Sequence, residues 1–94
     1  MTNKDLILNI AVNMGRLCRF GMEKREGRIK QFISDTEVYL DQVEKSTLNS
    51  RFRPTFERFQ TEFSELKNDA NYNEFWAEKA LTWANILTHR AKLA

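Results

Sequence analysis

The sequence predicts an all-α fold, an antiparallel bundle of three to four helices forming one domain over residues 1–94. Three observations carry the prediction. Apolar residues recur at spacings of three and four in three separate stretches, as on helices that bury one face. The chain holds three Gly and one Pro, too few for a small all-β fold that turns about every 8–12 residues. The composition, 41% hydrophobic and 30% charged, is that of a folded domain rather than a disordered one. Helix is expected over at least roughly 70% of the residues.

The first helix opens at Thr2, with Asp5 in the position of a capping-box acid. Leu6, Ile7, Leu8, Ile10, Ala11, Val12, Met14, Leu17, Cys18 and Phe20 then cover most of its circumference, and Asn9, Asn13 and Arg16 leave a thin polar slot. A helix apolar nearly all round is normally buried. In so short a chain it is either the central helix or an oligomer contact. The expectation taken from this is a homodimer with Leu6, Ile7, Ile10, Met14 and Leu17 at its interface.

The segment Gly21–Gly27 divides the reading. Two glycines six apart can frame a turn. Met22 to Glu26 are good helix formers, however, and the apolar stripe keeps phase across them: Ile7, Ala11, Met14, Cys18 and Met22 continue into Ile29, Phe32, Ile33, Thr36, Leu40 and Val43. The balance falls on one long, kinked helix from about Asn3 to Lys45, a rod of about 60 Å. A turn at this point would make four helices instead of three.

Ser46–Ser50 is rich in residues that bond to their own backbone and reads as a loop. Pro54 suits the first turn of the next helix, with Phe52 packing just outside its start. Phe52, Phe56, Phe59, Phe63 and Leu66 step by four, three, four and three, a narrow seam that needs other helices against it. Asn71 followed by Glu74 resembles a capping box opening the last helix. Along that helix Trp76, Ala80, Trp83 and Leu87 form a seam that Ala77, Leu81, Ala84 and Ala91 widen.

Net charge is +2, with +4 in residues 1–30 and −3 in residues 31–50. Such a split favours pairing between helices or between chains. Arg16, Arg19, Arg25 and Arg28 are the best polyanion-binding candidates, but on a single helix they scatter around the barrel with Glu23 and Glu26 among them. Phosphate tracking needs a continuous stripe. Arg25 interrupts the apolar stripe, and either snorkels or meets Glu37 or Asp41 of another chain.

The remaining candidates read as structure. Trp76 and Trp83 are two turns apart on one face, as core residues are. His89 has no companion ligand or orienting partner, and Asp35, Glu37, Asp41 and Glu44 lack the Glu-x-x-His motif of a di-metal bundle. No catalytic, metal or cofactor site is expected. Cys18, the one cysteine, lies in the apolar stripe as an inert thiol and suits a reducing compartment. Residues 6–14 are too short and too interrupted to span a bilayer. The function expected is that of a small, non-enzymatic, cytoplasmic protein acting through protein–protein interaction or self-association. The alternative is a nucleic-acid-associated regulator using the basic segment Arg16–Lys30.

Overall fold

A computed structural model describes residues 1–94 as four helices: α1 (Asn3–Met22), α2 (Glu26–Glu44), α3 (Arg53–Asn68) and α4 (Glu74–Arg90). A 3-10 turn over Ala91–Leu93 follows α4, 80% of the chain is helical, and there is no strand. Cross-helix pairs give the order. Phe20 stacks on Phe32 between α1 and α2, and Lys67 meets Glu37 between α3 and α2. Lys79 meets Glu65 and Arg90 meets Thr55 between α4 and α3. Gly21 lies against Trp76 and Ala77, which closes the ring from α1 to α4.

The long-helix reading does not hold. The chain leaves the helix at Glu23 and re-enters at Glu26, and the molecule measures 35 Å along its longest axis, half or so of what the rod would need. The turn is a Schellman closure: Arg25 N–H donates to the Phe20 carbonyl at 2.9 Å and Lys24 N–H to that of Gly21 at 3.2 Å. The left-handed residue this motif demands is Lys24, φ 56°, not a glycine. Neither flanking glycine makes the turn. Gly21 is required elsewhere, since a Cβ there would sit 2.9 Å from two carbons of the Trp76 ring. The apolar stripe keeps phase because both arms of the hairpin face the same core, so phase alone does not separate a hairpin from a rod.

Replacing Lys24 by Gly should therefore stabilise the fold by about 1 kcal/mol, because a left-handed non-glycine residue costs roughly 1–2 kcal/mol. Thermal melting should rise by about 4–8 °C, the usual shift per kcal/mol for a domain of this size. A lower melting temperature would mean that the hydrogen bond from Lys24 Nζ to the Tyr72 carbonyl outweighs the backbone strain.

The central position belongs to α1. Half of its twenty residues are buried, and it approaches α4 more closely than any other pair of helices approach each other. Small side chains permit this: Ala11 and Gly21 on α1, and Ala77, Ala80 and Ala84 on α4. By contrast α3 stands off, because Phe56, Phe59 and Phe63 fill the space between it and its neighbours. Phe59, fully buried, packs edge-on to Trp83 at 5.3 Å, and Trp76 donates its indole N–H to the Leu66 carbonyl at the end of α3. The indole thus occupies one of the carbonyls a helix end leaves open.

Several local expectations hold. Thr2 and Asp5 form a reciprocal capping box, Pro54 lies in the first turn of α3, and Phe52 is fully buried at its start. Others shift. The cap of α4 is Asn73, whose side chain accepts from Trp76 N–H at 3.0 Å, while Asn71 N–H donates to Asp69 in the preceding turn. Leu81 is half-exposed rather than part of the seam. On α1, Val12 and Met22 face solvent and Asn13 is buried, so the polar slot lies elsewhere than the wheel placed it.

Candidate functional site

The interface expected on α1 is not a surface. Leu6, Ile7, Ile10, Met14 and Leu17 are at most 4% exposed and belong to the core of their own chain. Three companion helices suffice to cover them, because the face α1 buries is narrower than its apolar content suggests. These five side chains are buried within their own chain by folding.

What the hairpin does to the arginines is different. On one continuous helix they diverge, but the reversal at Glu23–Arg25 brings the end of α1 against the start of α2 and gathers Arg16, Arg19 and Arg25. Phe20 on α1 and Phe32 on α2 stack with centroids 5.6 Å apart and rings 21° from parallel. The Arg16 guanidinium lies 5.2 Å from the Phe32 centroid, and those of Arg19 and Arg25 lie 5.3 and 5.5 Å from that of Phe20. A cation over a ring is attracted by about 0.5–1 kcal/mol at an exposed site. Three on one aromatic pair form an arginine face with an apolar backing. Arg25 over Phe20 also supplies the side-chain contact that accompanies a Schellman closure.

One carboxylate lies in this group. Glu23 pairs with Arg19 at 3.4 Å and with Arg25 at 3.7 Å, so Arg25 meets an acid of its own chain. Glu37 is paired with Lys67 and Asp41 with Lys45. Arg16 donates to Asn13 Oδ1 at 3.2 Å and Arg28 to Gln31 Oε1 at 3.3 Å, both neutral acceptors. Their charges are uncompensated by any ion pair. All four arginines are exposed. The two lysines of the segment are diverted, Lys24 to the Tyr72 carbonyl and Lys30 to Glu26.

The aromatic backing is what sequence reasoning missed. No helical spacing announces it: Arg16 reaches Phe32 across the hairpin, and Arg19 and Arg25 lie one and five positions from Phe20. In the sequence Phe20 is one of the apolar residues that surround the first helix and Phe32 one of the stripe.

Elsewhere the candidates behave as structure. Trp76 and Trp83 are buried in the core, at 2% and 3% exposure. His89 is exposed in the last turn of α4. Of the α2 carboxylates, Glu44 accepts from Gln60 and two others are paired as above. No group of three or more His, Cys, Asp or Glu is placed to hold a metal ion, and no helix is long and apolar enough to cross a membrane. Cys18 is buried, and burial pushes its thiol pKa up, which keeps it protonated and unreactive. Comparison with protein families, curated proteins and solved structures finds no match to this chain.

Proposed function

We propose that this is a non-enzymatic binding protein that docks an acidic protein partner on the arginine face of the α1–α2 hairpin. The observation that carries the reading is the convergence of Arg16, Arg19 and Arg25 on the stacked Phe20–Phe32 pair. Arginine, like the large aromatic residues, is enriched among those that dominate binding energy at protein interfaces. A guanidinium already held against a ring loses less conformational freedom when a carboxylate arrives, and its planar fork pairs with that carboxylate through two hydrogen bonds.

A protein partner fits better than nucleic acid. Tracking phosphates needs an uninterrupted basic stripe, whereas here Glu23 and Glu26 lie among the cations and Lys24 and Lys30 are drawn away. A second copy of the chain is one partner of the required kind, with the exposed Asp35 supplying a carboxylate. The single buried thiol suits a cytoplasmic setting.

The test is affinity capture with the wild type and with the variant R16E/R28E, after nuclease treatment and in physiological salt. These two arginines have no ion-pair partner to orphan, so the variant should keep its helicity. The wild type should retain a partner that the variant loses by at least about tenfold, since each charge-assisted bond is worth roughly 1.5–3 kcal/mol. Capture that survives charge reversal would contradict the proposal. Capture that vanishes with nuclease would transfer the face to nucleic acid.

A further inference from the structure

On the side of the bundle away from the hairpin contacts, α3 and α4 frame an open cleft of about 340 Å³. Thr55, Arg58 and Glu62 line it from α3, and Lys79, Thr82 and Arg90 from α4. Trp83 and Ile86 supply its apolar lining. Three cations face one carboxylate of the lining, and Glu65 just outside it takes up the Lys79 charge, which leaves an excess of about one positive charge in a space large enough for a small organic anion.

We propose that this cleft binds a phosphomonoester with a small apolar organic part. The cations are differently engaged, and the difference defines the site. Arg90 Nη1 donates to Thr55 Oγ1 at 2.8 Å, which ties the guanidinium to α3 while leaving most of its five donors free. No carboxylate lies within ion-pair distance of it. Arg58 touches Glu62 only through Nε, at 3.7 Å, so both of its terminal nitrogens are open. Lys79 is committed to Glu65 at 3.0 Å and to Glu62 at 3.6 Å. It contributes charge to the cleft more than contact. Two guanidinium forks across a gap match the three terminal oxygens of a phosphate group, which carries about −1.5 to −2 at neutral pH. The hydroxyl of Thr82 adds a donor on the same wall. Ile86, half-buried at the rim beside the nearly covered Trp83, would take a small apolar body, and a bare phosphate would leave it wet.

Glu62 is the element that opposes an anion. It sits beside Arg58 and Lys79 and is three-quarters covered. Its charge repels a ligand phosphate across the cleft, so its removal should tighten binding.

The experiment is an amide NMR titration of the full chain with phenyl phosphate and, in parallel, with inorganic phosphate. Saturable shifts are expected at Thr55, Arg58, Thr82 and Arg90, with phenyl phosphate bound several-fold more tightly than inorganic phosphate. The variant R58A/R90A, altered at two exposed positions, should weaken phenyl phosphate by at least about tenfold. Glu62→Gln should strengthen it. Non-saturating shifts, equal affinity for the two probes, or shifts centred on Arg16 and Arg28 would each overturn the assignment. So would an affinity that Glu62→Gln leaves unchanged or lowers, a result that stands even where the double variant folds poorly.

Discussion

Ile10→Asp should abolish folding altogether. Ile10 is fully buried in the middle of α1, the helix that both α2 and α4 pack against. The substitution removes a large aliphatic side chain, at about 2–5 kcal/mol for comparable truncations. It also places a carboxylate where nothing solvates it, at an effective cost of several kcal/mol. A domain of this length is stable by about 5–14 kcal/mol, so the two costs together consume it. Circular dichroism should show little helix and no cooperative melt at any protein concentration. A variant that stays helical and changes only its sedimentation would mean instead that Ile10 faces another chain.

Phe59→Ala is the second large effect. Phe59 is fully buried and joins α3 to the core through Trp83 at 5.3 Å and Phe63 at 5.6 Å. Because α3 approaches its neighbours less closely than α1 does, its phenylalanines are most of what fixes it to the bundle. Truncation should cost about 3–5 kcal/mol, which lowers the melting temperature by more than about 12 °C in a domain of this size. Phe59→Leu should recover a good part of that loss. A Phe59→Ala protein melting within a few degrees of wild type would show the seam to be exposed.

Spacing made the helices and most of the core legible. The steps of three and four from Phe52 to Leu66 and from Trp76 to Leu87 each end as a buried face, because helical periodicity is set by backbone geometry alone. The hairpin was not legible. Its left-handed position carries Lys24 where glycine is usual, and the flanking Gly21 serves a close approach to Trp76. Tertiary packing chose the turn, and a sequence stripe does not report on that. The same gap left open what covers α1: Leu6, Ile7, Ile10, Met14 and Leu17 are buried within their own chain. It also hid the arginine face. Arg16, Arg19, Arg25 and Arg28 were identifiable as a group, yet only the reversal at Glu23–Arg25 sets three of them around one aromatic pair.

The most direct test of recognition through that face is an amide NMR titration of the wild type with a short glutamate-rich peptide, a minimal acidic partner. Shifts should concentrate at Arg16, Arg19, Arg25 and Arg28 and at the adjoining Phe20 and Phe32, and should saturate in physiological salt. Shifts confined to α3 and α4, or none beyond those produced by salt alone, would contradict the account.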